Sequence, residues 1–171
     1  MIETIQKLAR SGIIEDMVIT YLDNGKEIRK GTMSNFNATI RSIREVQPSR
    51  KRITDEVWGM DGDYDFSVPE VYERRRFEIV LNLYEECGDR QDQRDRIVEW
   101  LRKADTTGMS ETDKAAVKLE FTLRKNTYYT GLRISVGSLV QDRGGKGRSQ
   151  SALSLTITTD ARYYKEGKWI I

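Results

Sequence analysis

The chain has 171 residues, enough for one domain with its own hydrophobic core and too few for two of ordinary size. Its 29 Lys and Arg nearly balance 27 Asp and Glu, so the clear positive excess of a dedicated nucleic-acid binder is missing. Histidine is absent, which removes the usual general base and the commonest transition-metal ligand and leaves carboxylates, Lys or Tyr for any catalysis. Cys87 is the single cysteine, so neither an internal disulfide nor a cysteine zinc site can form, as fits synthesis in a reducing compartment. No run approaches the roughly 18 apolar residues of a membrane span, and Met1-Ile2-Glu3-Thr4 opens no signal peptide. A soluble protein with no membrane partner is expected.

Ile2, Ile5 and Leu8 recur at helical spacing before Gly12, which predicts a short amphipathic helix over 2–10. In "DMVITYLDNGKEIRKG" two strand-like runs flank Asn24-Gly25, a pair that tolerates the positive φ of a type I′ turn, so a hairpin follows. "FNATIRSIREV" reads as a strand that Pro48 ends, and Arg50-Lys51-Arg52 forms a basic patch after it. In "RRRFEIVLNLYEE" Phe77, Ile79, Leu81 and Leu83 alternate, so one face of a strand must be buried.

The period then changes. Over 89–104 Ile97, Leu101 and Ala104 share a helical face with Trp100 at its edge; Asp89 or Asp92 can cap the start, and the last turn carries Lys and Arg. "AVKLEFTLR", "YYTGLRISVGSLV" and "SALSLTITTDARYY" return to strands, the last two separated by the glycine-rich "DRGGKGRS". Many strands, one clear internal helix and one short terminal helix predict a β-dominated α+β domain.

Three motifs suggest chemistry. "GMDGDYDFS" (59–67) sets Asp61, Asp63 and Asp65 at alternate positions like a calcium loop, yet an EF-hand counted from Asp61 needs Gly at position six and Glu at twelve. Those positions hold Phe66 and Tyr72, so an acidic inter-strand turn is the better reading, with a calcium site of another type as the alternative. "RGGKGRS" lacks the Gly-Lys-Ser/Thr of a phosphate loop, because Gly147 follows Lys146, and reads as a mobile loop or hairpin tip. Arg50, Lys51, Arg52 and Arg74, Arg75, Arg76 could meet phosphate while Tyr72, Tyr128 and Tyr129 stack bases, but Asp55, Glu56, Glu70 and Glu73 lie near enough in sequence to pair with them. They are kept as candidate interface residues. No pair of carboxylates stands out for catalysis, and no cofactor is implied.

The order of these features resembles the N-terminal domain of the bacteriophage distal tail protein (Dit) family. The likeness rests on a strand, a basic stretch, a turn with Gly59, Asp61, Gly62, Tyr64 and Asp65, the alternating strand, a helix bearing "VEWL", then "KLEFTLRKNTYYTGLRISVG" and "LSLTITTDARYY". It covers roughly residues 36 to 165, and its specificity lies in the order of the motifs. The family's turn commonly reads Pro-Gly-Arg-Asp-Gly, whereas this chain has Trp58-Gly59-Met60-Asp61-Gly62.

The resemblance implies a β-sandwich or split barrel of tail-tube type with one flanking helix and extended hairpins, over 36–171, preceded by an elaboration over 1–35. It implies a non-enzymatic structural protein of the virion tail tip, assembled in the host cytoplasm. Such a protein forms a homohexameric ring that joins the major tail tube protein to the hub or tail-associated protein and lets DNA pass. Because the chain stops soon after the last strand, it is expected to be a ring-only version without a sugar-binding module. Alternatives are a tail-tube or tail-terminator subunit of related fold and a nucleic-acid-binding module.

Overall fold

The computed structural model describes residues 2–11, 14–50, 54–56, 63–65, 72–84, 87–141 and 150–171. Alternating apolar side chains give two antiparallel sheets that bury their facing surfaces together. The first sheet runs β12 (Lys168–Ile170), β11 (Tyr163–Lys165), β8 (Thr127–Tyr129), β7 (Lys118–Phe121), β1 (Met17–Asp23) and β2 (Lys26–Gly31). The second runs β3 (Thr39–Val46), β6 (Arg75–Tyr84), β10 (Gln150–Thr159) and β9 (Arg133–Gln141). β4 (Thr54–Glu56) and β5 (Asp63–Asp65) pair only with each other. The domain is therefore β-dominated α+β with two antiparallel sheets, as the alternation predicts.

β6 buries Phe77, Ile79, Leu81 and Leu83, and β10 adds Leu153, Leu155 and Ile157. Across from them β1 offers Met17, Ile19 and Tyr21, and β7 offers Leu119 and Phe121. Phe77 meets Phe121 at 5.3 Å and Tyr129 edge-on at 4.8 Å, so the two sheets touch through aromatic rings. β1 lies between β2 and β7, which brings Met17, Ile19 and Tyr21 into the core, with Ile28 of β2 packed against it.

The Asn24-Gly25 turn has both residues at positive φ and closes the register with Asp23 opposite Lys26. Helix α1 spans Ile2–Arg10, as its periodicity predicts. Helix α3 (Arg90–Ala104) also follows its sequence: Asp89 accepts from the amides of Gln91 (2.7 Å) and Asp92 (3.3 Å), and Ile97, Trp100, Leu101 and Ala104 are buried.

Two short helices, α2 (Thr32–Phe36) and α4 (Glu111–Ala116), are additions to that reading. β3 starts at Thr39, so Phe36 is helical rather than part of the strand, and its ring stacks on Trp100 at 4.6 Å. The cause is Asp16, buried just before β1. Its carboxylate accepts from the Thr32 hydroxyl (2.7 Å), the Met33 amide (2.9 Å) and the Ser34 hydroxyl (3.1 Å), and so caps a helix that starts on the far side of the β1–β2 hairpin.

"YYTGLRISVGSLV" and "SALSLTITTDARYY" each divide into two strands that lie in different sheets. The pairing of β8 with β11 and of β9 with β10 makes one long ribbon, bent where both chains cross between the sheets. At the bend the Asp160 amide donates to the Thr130 carbonyl at 2.9 Å, and Gly131 sits at φ +68°. A Cβ on Gly131 would stand 2.4 Å from an Asp160 oxygen. Arg74 closes the bend, donating to the Gly131 carbonyl, the Thr158 carbonyl (3.2 Å) and the Asp160 carboxylate (3.3 Å).

After α3 the chain caps the start of β9. Thr106 donates to the Leu132 carbonyl through amide and hydroxyl, both at 2.8 Å, and Asp105 accepts from the amides of Thr107 (2.8 Å) and Ile134 (3.1 Å). Burial alone would push the Asp105 carboxyl up, but these bonds and nearby Arg133 hold it below its ordinary value.

Gly131→Ala should destabilise the protein by about 2 kcal/mol, from the left-handed backbone and the displaced Asp160 together, read in urea melts. Because the folded-state carboxyl of Asp105 is depressed, its stabilisation is full above the unfolded value of about 3.9 and fades as pH falls through the folded one. Wild type should thus exceed Asp105→Asn in melting temperature at neutral pH, with the gap closing under acid.

Candidate functional site

Arg75 occupies an inward position of β6, two residues before Phe77, and its side chain is 1% exposed. An inward guanidinium must find acceptors inside the protein. It donates to Glu45 Oε1 at 2.7 Å, Gln47 Oε1 at 2.6 Å and the Ala161 carbonyl at 3.2 Å, and lies 4.8 Å from the centre of the Tyr163 ring.

The other oxygen of Glu45 takes Arg124 at 3.0 Å, and Arg124 also donates to the Tyr129 hydroxyl at 2.8 Å. Arg124 follows β7 and rests 5.3 Å from the Phe121 ring centre. One carboxylate is thus shared by two arginines at one end of the sandwich.

The electrostatics keep these charges fixed. Burial draws the Arg124 guanidinium down, but the bond to Tyr129 and the charge of Glu45 outweigh it and leave it raised. Burial pushes the Tyr129 phenol up, against the pull of Arg124. The arrangement holds charge and offers donors; the raised phenol is a poor base at neutral pH. Beside it opens a cleft of about 340 Å³, lined among others by Glu45, Gln47, Arg75, Arg124, Lys125 and Lys165.

The three successive arginines diverge. Arg74 clasps the bend between the sheets, Arg75 enters the buried network, and Arg76, 47% exposed, pairs with Glu78 at 3.4 Å. Arg50 forms a bridge with Tyr72. Lys51 and Arg52 lie outside the described residues, as do Gly59, Asp61 and Gly62. Tyr64 and Asp65 belong to β5, opposite Asp55 and Thr54. Among the described residues no group of three or more Cys, Asp or Glu could hold a metal ion.

Sequence reading missed Glu45, Gln47, Arg124 and Tyr129 as partners. The signal was present in one place: Arg75 shares the parity of Phe77, Ile79 and Leu81, and a charge on the buried face requires a counter-charge.

A second surface feature is the set of strand edges. β2 and β12 end the first sheet, and β3 and β9 end the second. Near them Val140 is 61% and Trp169 54% exposed. On β8, β11 and β12 Tyr128 stacks on Tyr164 at 4.6 Å, and Trp169 meets Tyr164 edge-on at 5.6 Å.

No protein-family model matches the sequence, and no curated protein matches it. Solved structures give similarities. One is to the Dit protein of phage SPP1, described as a paradigm of the hub adsorption apparatus in phages that infect Gram-positive bacteria (16% identity, TM-score 0.46, 87% of this chain and 52% of that one). The chain thus spans about half the length of that protein. Another is to a chain of the phage p2 baseplate in its activated conformation (14%, TM-score 0.42, 91% and 45%). A third is to a chain in the tail of an empty GTA particle with C6 symmetry (10%, TM-score 0.38, 82% and 89%). The likenesses are to tail and baseplate chains.

Glu45→Gln removes the shared carboxylate and leaves two cations facing each other across a buried site. It should cost about 3 kcal/mol, measured by urea denaturation, whereas Glu78→Gln, on an exposed pair, should cost under about 1 kcal/mol.

Proposed function

We propose that the chain is a structural subunit of a phage tail tip, a distal-tail-type protein that closes into a homohexameric ring between the tail tube protein and the hub. The observation that carries this reading is one of order. The strand and helix motifs of the resemblance fall, in sequence, onto β3, β6, α3 and the strands from β7 to β11, most of one sandwich rather than scattered segments.

The open edges support it. A ring needs two different complementary faces on each subunit, repeated until the rotation closes. Among the described residues the two larger sheets have four edge strands, whose backbone donors and acceptors a neighbouring subunit can cover. In this reading residues 36–171 form the ring-building domain, and residues 1–35 add a helix and hairpin to it. The acidic segment 59–67 serves assembly, and Arg50, Lys51, Arg52, Arg74 and Arg76 serve subunit or tube contacts. DNA passes through the ring in the virion, and no catalytic step is assigned to it.

Negative-stain microscopy and light scattering of the purified protein, alone and with its tube protein, test this. Sixfold rings at about six times the 19.8 kDa chain mass are expected. Long tubes would move the chain to a tail-tube subunit, and a monomer under both conditions would overturn the reading.

A further inference from the structure

The network around Glu45 is unbalanced in charge. Among the described residues Glu45 is the only carboxylate paired with either Arg75 or Arg124, so the three groups carry a net positive charge, with Arg75 1%, Glu45 18% and Arg124 38% exposed. Charges taken out of water are stable there only when matched. Donors are left over as well. Arg75 Nε is buried with no hydrogen-bond partner among the described residues, and the bonds of Arg124 all run through Nη1.

Both arginines line the cleft of about 340 Å³, a size that admits a short acid rather than a large cofactor. Exposed Lys125 and Lys165 stand on its lining, the latter one register step from the pair that Tyr128 and Tyr164 make across β8 and β11. Four cations therefore face one carboxylate around a single opening, and Tyr129 and Tyr163 line the same cleft.

We propose that this cleft is a carboxylate-binding site, in which an incoming carboxylate takes the donors that half-exposed Arg124 does not use for Glu45 and Tyr129, and completes a network of two arginines and two carboxylates. The planar fork of a guanidinium fits a carboxylate through two parallel bonds. Glu45 stays in the site and repels the two charges that a phosphate dianion concentrates at one point more strongly than the single charge of one carboxylate group. Lys125 and Lys165 raise the local concentration of acids at the opening. The carboxylate has two sources, a free small acid or an acidic side chain of a protein segment, and the site chemistry is the same for both.

The test follows the Arg Nε–Hε resonances of the full chain, labelled with 15N-arginine, at constant ionic strength. Succinate, a synthetic peptide of residues 59–67 (GMDGDYDFS), and inorganic phosphate are titrated separately. A saturable shift at Arg75 and Arg124 is expected with a carboxylate probe, at lower concentration than with phosphate. Saturation by succinate identifies a small-acid site, and saturation by the peptide alone identifies a site for protein carboxylates. The Lys125→Glu, Lys165→Glu double variant alters only exposed side chains, so it should keep the wild-type melting temperature while binding the carboxylate about tenfold more weakly. No saturable shift with either acid, an equal or stronger response to phosphate, or unchanged binding by the folded double variant would each overturn the proposal.

Discussion

The sandwich depends on the place where two strands change sheets together. β8 leaves the first sheet for β9 in the second, and β10 leaves the second for β11 in the first, so the chain must bend the same ribbon twice at one point. Two bends side by side expose several backbone groups that neither sheet can pair. The Thr130 carbonyl takes the Asp160 amide, and the carbonyls of Gly131 and Thr158 take Arg74. Only a residue without a side chain fits at 131, because Asp160 fills the space and the backbone is left-handed. Once the bend is fixed, the register of β9 on β10 and of β8 on β11 follows, and with it the meeting of Phe77, Phe121 and Tyr129 between the sheets.

The sequence shows the ribbons but hides the bend. Continuous β-formers from Tyr128 to Val140 and from Ser151 to Tyr164 read as single strands, because alternation along each half survives the crossing. Local signals are readable where their partners are close in the chain. Asn24-Gly25 sets its hairpin, Asp89 caps α3, and the alternation from Phe77 to Leu83 marks the buried face of β6. Helix α2 fails that condition. Its N-cap is Gly31, whose missing side chain leaves room for Asp16, and the capping carboxylate comes from a residue fifteen positions earlier. A window along the sequence contains no trace of that bond, so Phe36 looks like the start of a strand.

The same difference in range governs the charged site. Arg75 is legible as an inward charge, but its partners arrive from Glu45 on β3, from Gln47 just beyond that strand and from the crossing at Ala161, and Glu45 in turn takes Arg124 from the loop after β7. No spacing rule connects positions 45, 75 and 124. Clusters of arginine in a charge-balanced chain therefore cannot be assigned to surface or core by composition alone, and here three neighbours have three different environments.

That divergence follows from the register of β6, which its apolar residues set. A strand that slips by one residue turns every side chain to the other face. In β6 such a slip would bring Arg74 or Arg76 inward and carry Phe77, Ile79, Leu81 and Leu83 toward solvent. The apolar loss is what disfavours it, because a slip of one still presents a guanidinium from the run to Glu45 and Gln47. In the native register Glu45 and Gln47 accept from Arg75, while the Thr158 and Gly131 carbonyls accept from Arg74. The charged end of the sandwich and the bend between its sheets are thus tied to the same two consecutive residues, and the alignment of β6 between β3 and β10 holds both in place.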